Sequence, residues 1–249
     1  MRAYVFTDAA LAKHAGRFVW LSIDTEKDQN AQFVEKFPIE SWPTLMVLDS
    51  SGETPALKWA GSANVQQLEK LFDDAERALA SSKGTDAEGL LAEADRLNAQ
   101  RAYPEAAQKY GEALKASDPK WERRNRTVES LTIALYQAKR YPECADVALR
   151  ELPAMPRGPS FANAAAMGLF CAMEDDAPTG KDLAVKLLPF AEEAVKVPGI
   201  LADDRSGLYE ALVELREDSG DKAGAHALAE QWMSFLESEA AKARTPEER

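Results

Sequence analysis

The hydrophobic positions of this chain follow two different spacings, one before and one after about residue 80. Before it, short apolar runs alternate with turn-forming residues, which is typical of strands in a mixed sheet. After residue 86, apolar residues recur every three or four positions, as in amphipathic helices. The pattern predicts an α/β domain over residues 1–80, a polar linker over residues 81–85 and an all-α domain over residues 86–249.

The strongest strand signal is the apolar run Leu45–Leu48. It follows Pro43, whose missing N–H suits the first position of a strand, and it ends at an Asp-Ser-Ser-Gly turn. The run predicts a strand buried on both faces. The tight turn before it predicts a cis peptide bond between Trp42 and Pro43.

Five further elements surround this strand. In chain order, the pattern predicts a short helix over Ala9–His14, a buried strand over Arg17–Asp24, a helix over Asn30–Phe37 with Phe33 and Val34 inward, an alternating edge strand over Ala56–Gly61, and an amphipathic helix over Asn64–Leu79.

This order of elements resembles the later two-thirds of a thioredoxin fold of the thiol:disulfide interchange type. Pro43-Thr44 and the strand that follows are its best marker. In that family a central strand leads into a Trp-Cys-x-x-Cys turn, and the next helix carries a methionine that Met1 resembles. The resemblance implies a partial thioredoxin-like domain that lacks its first strands and its Cys-x-x-Cys turn.

The missing cysteines limit the chemistry of this domain. Dithiol exchange needs two cysteines at a helix N-terminus, where the helix dipole lowers the thiol pKa, and this sequence has none there. Either the native protein starts upstream, or this is a minimal domain that lost its redox function. Without the central strand, Val19–Ile23 and Leu45–Leu48 must pair directly, leave a gap or receive a strand from elsewhere.

The resemblance places the remaining binding function at Trp42, Pro43 and Thr44. In the family, the residue before the cis-proline offers its main-chain N–H and C=O to an extended substrate. That residue here is Trp42, with Pro43 shaping the turn and Thr44 behind it. A tryptophan departs from the small or β-branched residue common there, which leaves the accepted substrate width open. Alternatively, Trp42 is a surface aromatic residue that packs on the domain interface.

An internal repeat organises the second half. The segment RAYPEAAQKY at residues 101–110 recurs as KRYPECADVA at residues 139–148, and each copy begins a helix with Tyr-Pro-Glu. We expect four helix pairs stacked as a solenoid, which resembles tetratricopeptide (TPR) repeats. The first helices of the pairs are predicted at Ala87–Ala99, Arg126–Ala138, Ser160–Met173 and Asp204–Glu217.

The charged residues exclude several functions. A formal net charge of −12 argues against nucleic acid or an anionic membrane surface as a partner. No apolar run is long enough to span a bilayer. The paired acids Asp73-Asp74, Asp175-Asp176 and Asp203-Asp204 are expected at helix starts or surface turns.

The sequence contains no motif for a metal, a nucleotide or a nucleophilic enzyme, and we therefore predict no metal and no cofactor.

Two further features concern the helical half. Cys144 and Cys171 are predicted to be buried, unreactive thiols, although a bond between them needs Cα atoms within about 7 Å, which the sequence cannot establish. Arg123, Arg124 and Arg126 form the one basic cluster. They could clamp an acidic or C-terminal carboxylate of a partner, or simply begin a solvated helix.

Our first hypothesis is a non-catalytic protein-binding module that recruits a protein or peptide through the TPR groove and the cis-proline loop. The alternative is an enzyme, a protein-disulfide reductase or isomerase whose cysteines lie upstream. A third option is a scaffold in which the two domains stabilise each other. The compartment is periplasmic or extracellular if an upstream signal peptide is missing, and otherwise cytoplasmic. The oligomeric state is open.

Overall fold

The computed structural model describes residues 5–39, 42–50, 54–80 and 84–242. Over these residues the chain is mostly helical, with a small antiparallel sheet near its start. The predictions for Met1, for residues 51–52 of the turn and for residues 81–83 of the linker lie outside the described residues. Short 3-10 helices cover Ala9–His14, Asp28–Asn30 and Leu152–Ala154, and the other elements are α1 Ala31–Lys36, β1 Thr44–Leu48, β2 Pro55–Ala60, α2 Val65–Ala80, α3 Ala87–Ala99, α4 Tyr103–Ala116, α5 Arg124–Gln137, α6 Tyr141–Glu151, α7 Pro159–Met173, α8 Pro178–Ala194, α9 Ala202–Asp218 and α10 Lys222–Lys242.

The sheet consists of β1 and β2. Thr44 lies opposite Ala60 and Leu45 opposite Trp59, and the register shifts by one residue after Val47. The Trp42–Pro43 peptide bond is cis, which confirms the prediction. The strand begins directly after Pro43, whose carbonyl accepts from Gly61 but whose missing N–H ends the ladder with β2 at this position. The prediction of burial on both faces is wrong, because every residue of β1 is only partly buried.

The predicted strand Arg17–Asp24 is wrong. The segment has no regular secondary structure, and Val19 and Leu21 are 89% and 73% exposed. A strand is stable only when a neighbour satisfies its main-chain groups, and in the described residues β1 pairs with β2 alone. Direct pairing of this segment with β1 therefore does not occur.

Strand β2 also differs from its prediction. It was expected to alternate between buried and exposed positions, but Pro55–Trp59 are all buried. One cause is contact with helices from both halves of the chain, since β2 packs on α2 and on α3. Ala56 of β2, Ala78 of α2 and Ala92 of α3 form a small apolar cluster there. The two predicted domains therefore share a buried interface.

The four predicted helix pairs are present. Helices α3 and α4, α5 and α6, α7 and α8, and α9 and α10 pack against each other in turn, and α5, α7 and α9 also contact along one layer. The predicted bounds of α3 are confirmed, and the other first helices start one or two residues earlier than predicted. Ala106 and Cys144, the small residues of the two repeat copies, are fully buried between helices.

The two repeat copies also share a turn conformation. Arg101 and Lys139 both have a positive φ, 64° and 56°, at matching positions of the turn before Tyr-Pro-Glu. In each turn, the next amide donates to a carbonyl five residues back, Ala102 to Leu97 and Arg140 to Leu135. These bonds satisfy carbonyl groups at the end of the first helix. The sequence repeat is therefore a structural repeat.

The two cysteines form a disulfide between α6 and α7. The prediction of unpaired thiols is wrong for both residues. Their Cα atoms lie 6.0 Å apart, within the distance that a disulfide requires. Both side chains are fully buried, so the cross-link lies inside the larger hydrophobic core.

Candidate functional site

The edge of β1 that faces away from β2 is the first candidate site. The carbonyl of Pro43 accepts from the amide of Gly61 at 2.8 Å, so Pro43 faces β2. Because main-chain groups alternate along an antiparallel strand, Thr44 and Met46 direct theirs toward the opposite edge. No strand of the described residues lies along that edge. Such an edge can pair with an extended segment of another protein.

Trp42 stands at the start of this edge. Its side chain is 72% exposed, and its indole Nε1 donates to Thr25 Oγ at 3.0 Å. Within the described part of the chain, the main chain of Trp42 makes no hydrogen bond. Pro43 and Thr44 are partly buried beside it. The structure therefore brings the three predicted binding residues together, with Trp42 as the one most open to a partner.

The exposed apolar surface extends from Trp42 toward the segment before Thr25. Val19, Trp20 and Leu21 belong to that segment, and all three are exposed. Trp20 packs edge-on against Phe72 of α2, with ring centroids 5.3 Å apart, so the segment is anchored to the smaller core. Apolar side chains that remain exposed on an anchored segment are typical of contact surfaces.

The arginine cluster lies at the junction of α2, α3 and α5. Arg123 Nε donates to Asp74 Oδ1 at 2.8 Å, and Arg126 donates to Asp95 Oδ1 at 2.9 Å. Asp74 and Asp95 are only 3% and 2% exposed. Arg126 Nε also lies 3.3 Å from Asp74 Oδ2, an ion-pair contact without hydrogen-bond geometry. These residues form a buried network that joins the two halves of the chain.

Further contacts complete this network. Tyr110 donates its hydroxyl to Asp95 at 2.8 Å, and Arg77 donates to Asp74 at 3.0 Å. Burial raises the pKa of Asp95, and the Arg126 guanidinium opposes this shift. Burial lowers the pKa of Arg126, but Asp95 and Asp74 raise it more, so the guanidinium stays charged. A buried charge pair of this kind is stable only while both partners are present.

The third arginine of the cluster also has partners within the chain. Arg124 donates to Glu151 at 2.7 Å and to the hydroxyl of Ser117 at 3.1 Å. The contacts of all three arginines are thus explained without a partner protein, and the carboxylate clamp stays a prediction. The expectation that Asp74 lies at a helix start or a surface turn is wrong, because Asp74 is buried in the middle of α2.

A second group of buried carboxylates lies between α5 and α9. Glu129 is 1% exposed, and its Oε1 accepts from Asn163 at 2.7 Å. Glu129 Oε2 and Asp204 Oδ2 are buried atoms without a hydrogen-bond partner among the described residues. Asp203 and Asp204 lie in the first turn of α9, as predicted. Their position at a helix start was visible in the sequence, but the burial beside Glu129 was not.

Comparison with protein-family models, with curated proteins and with solved structures finds no match to this chain. Its family assignment therefore rests on the order of its elements and stays a proposal. Over the described ranges, no group of three or more histidine, cysteine, aspartate or glutamate side chains could hold a metal ion. None of the described helices is both long and apolar enough to cross a bilayer.

The carboxylate group predicts a specific dependence of stability on pH. Burial, followed by the charges of Glu129 and Asp203, raises the pKa of Asp204 to about 7. The unfolded value is about 3.9, so the folded state binds the proton more tightly and loses stability as pH rises from about 4 to about 7. We expect Asp204→Asn to raise the free energy of unfolding by about 2 to 3 kcal/mol relative to wild type at pH 8.5, and to change it little at pH 4.5.

Urea unfolding of both proteins at the two pH values measures this difference. The full pKa shift corresponds to a loss of about 4 kcal/mol in the free energy of unfolding. Partial exposure of Asp204 reduces this loss, and so does its position at a helix N-terminus, which favours a negative charge by about 0.3 to 1 kcal/mol. Asp176→Asn is the matched control, because Asp176 is an exposed aspartate outside this carboxylate group and its replacement should leave the difference between the two pH values unchanged. An equal effect of Asp204→Asn at both pH values would contradict the raised pKa of Asp204.

Proposed function

We propose that this chain is a non-catalytic protein-binding module, in which the exposed Trp42 and the edge of β1 that faces away from β2 accept an extended segment of a partner protein. The observation that carries the proposal is the 72% exposure of Trp42 at the start of a strand that no described strand flanks on the side away from β2. Main-chain pairing supplies affinity at such an edge, and side-chain contacts supply selectivity. A large exposed aromatic residue is a frequent hot spot of protein interfaces.

The two cysteines argue against dithiol chemistry in the described part of the chain. Both are fully buried and bonded to each other, and neither lies near the start of a helix that follows a strand. A redox site needs an accessible thiolate. The support for the module therefore comes from a binding surface rather than from reactive groups.

The TPR-like repeats supply the second proposed contact surface. In our proposal the partner continues from the β1 edge onto the layer formed by α5, α7 and α9. One end of this layer lies close to the sheet, because Lys58, Trp59 and Ala60 of β2 line a small pocket together with Ser130 and Ile133 of α5. The β1 edge is therefore the primary site, and the helices extend it.

Trp42→Ala tests the primary site. We expect it to weaken binding of a permanently unfolded probe, such as reduced and carboxymethylated α-lactalbumin, at least tenfold, or about 1.4 kcal/mol. Fluorescence anisotropy of the labelled probe gives the affinity. In NMR spectra of the wild-type protein, the amide of Met46 should shift when the probe binds, because it faces away from β2.

The matched control is Met233→Ala, which removes another exposed apolar side chain, 58% exposed, from α10. It should leave the affinity unchanged. Equal affinities of wild type and Trp42→Ala, or shifts that spare residues 42–48, would reject the β1 edge as the binding site.

A further inference from the structure

The connection between β2 and α2, residues 61–64, contacts the far end of the helical half. Ser62 Oγ donates to Asp203 Oδ2 at 2.8 Å, across 141 residues of sequence. Ser62 and Ala63 are 2% and 0% exposed. The carbonyl of Ser62 also accepts from the indole of Trp59 at 3.1 Å. We name residues 61–64 the docking loop, because they join the N-terminal half to the first turn of α9.

Both ends of the docking loop are well defined. Gly61 has φ +95°, a conformation that glycine adopts without strain. At the other end, Asn64 and Gln67 exchange hydrogen bonds of 3.0 and 2.9 Å between side chains and amides, the reciprocal cap of a helix start. The loop is therefore bounded by the end of the sheet at Gly61 and by the capped start of α2.

Carboxylates surround the contact on the helical side. Asp204 follows Asp203 in the same turn, and Glu129 of α5 acts on Asp204 electrostatically. Asn163 of α7 supplies Glu129 with an uncharged hydrogen bond. The one cation beside Asp204 in sequence, Arg205, points away from it, since it donates to the Val197 carbonyl and lies over Phe235.

Two more groups complete the electrostatic surroundings. Arg126, in the same helix as Glu129, lowers the pKa of that carboxyl, but burial has the larger effect and raises it. From α10, the neighbour of α9, the groups that pack on the first turns are aromatic, with the Trp232 indole donating to Ser206 at 3.1 Å. Among the described residues no cation contacts Asp204, so its ionised form is unfavourable in the docked arrangement.

We propose that the docking loop and the first turn of α9 form a pH-controlled latch, closed while Asp204 is protonated and open when Asp204 and Glu129 both carry charge. Ionised Asp204 must reach water, and this moves the first turn of α9 away from Glu129. Asp203 then loses its position opposite Ser62. The raised pKa of Asp204, to about 7, places the change near neutral pH.

Hydrogen–deuterium exchange of the full chain tests the latch without any partner. After correction for intrinsic exchange, protection of residues 61–64 and 201–204 should fall about tenfold between pH 6.0 and 8.5, as expected for a group that titrates near 7 only in the closed state. Helix α3 serves as the internal reference and should keep its protection. Unchanged protection of the docking loop in wild type would overturn the proposal.

Two variants separate the latch from general loosening. Asp204→Asn, which removes the charge at nearly constant shape, should abolish the fall, and an equal fall in this variant would also overturn the proposal. Ser62→Ala should lower loop protection at pH 6.0 to the level that wild type shows at pH 8.5. If Ser62→Ala keeps the wild-type protection at pH 6.0, the Ser62–Asp203 contact does not hold the loop and the latch is rejected.

Discussion

Arg126→Met is expected to lower the free energy of unfolding by about 3 to 5 kcal/mol, the loss typical of a buried carboxylate that is left without its cation. Arg126 is the cation that pairs with Asp95, at 2.9 Å. Asp95 is 2% exposed, so water cannot replace the guanidinium. The effect on Asp74 is smaller, because Arg77 and Arg123 still form ion pairs with it. Urea unfolding followed by circular dichroism measures the loss.

Two further variants make this result specific. Arg140→Met removes an arginine from an exposed pair with Glu143, which should cost less than about 1 kcal/mol. Asp95→Asn combined with Arg126→Met removes both charges and should recover part of the loss, since the penalty comes mainly from the unpaired carboxylate. A loss below 1 kcal/mol in Arg126→Met alone would show that Asp95 reaches solvent or another cation.

The same network holds α2 of the N-terminal half against α3 and α5 of the helical half. Asp74 belongs to α2, and its partners Arg123 and Arg126 lie at the start of α5. Arg96 of α3 adds a bond to the carbonyl of Ala78 at 2.7 Å. These contacts favour the scaffold hypothesis as a complement to the binding module. Limited proteolysis near Gly84 checks it, because two stable halves after cleavage would argue against mutual stabilisation.

Local signals were sufficient for most of the helical half. The bounds of α3 and the paired Tyr-Pro-Glu helix starts follow from spacing, proline chemistry and the internal repeat, all of which act within a few residues. The cis peptide bond before Pro43 was predictable for the same reason. The TPR-like and thioredoxin-like assignments are a further step, and no comparison with known proteins tests them.

Predictions failed where the outcome depends on distant parts of the chain. Arg17–Asp24 has the composition of a strand, but composition does not reveal whether a neighbouring strand is present. From the sequence alone Asp74 is expected at the surface, and only the packing of α5 beside α2 buries it. Asp204 likewise has the ordinary sequence position of a helix-start carboxylate, and only the fold places Glu129 beside it. Of the proposed binding site, the sequence indicated Trp42–Thr44 but not the edge of β1 that faces away from β2.

The disulfide is the clearest example of such a distant effect, and its removal is the second large expected loss. Cys144 and Cys171 are 27 residues apart in sequence, and the bond ties the second helix pair to the third. Cross-linking a loop of this length restricts the unfolded chain and stabilises the folded state by about 3 to 4 kcal/mol in the chain-entropy model. We expect Cys144→Ala combined with Cys171→Ala to lose about that amount in urea unfolding.

A thiol titration separates the bond itself from the loss of two buried sulfur atoms. Unfolded, non-reduced protein should show no reactive thiol towards Ellman's reagent, whereas two thiols per chain would contradict the bond. Wild-type protein that is unfolded, reduced and refolded in reductant keeps both sulfur atoms and should lose most of the same stability as the double variant. If the reduced wild type is as stable as the oxidised protein, the core packing of α6 on α7 is sufficient and the cross-link adds nothing. Because both side chains are fully buried, reductant should act on the folded protein only as fast as the chain opens.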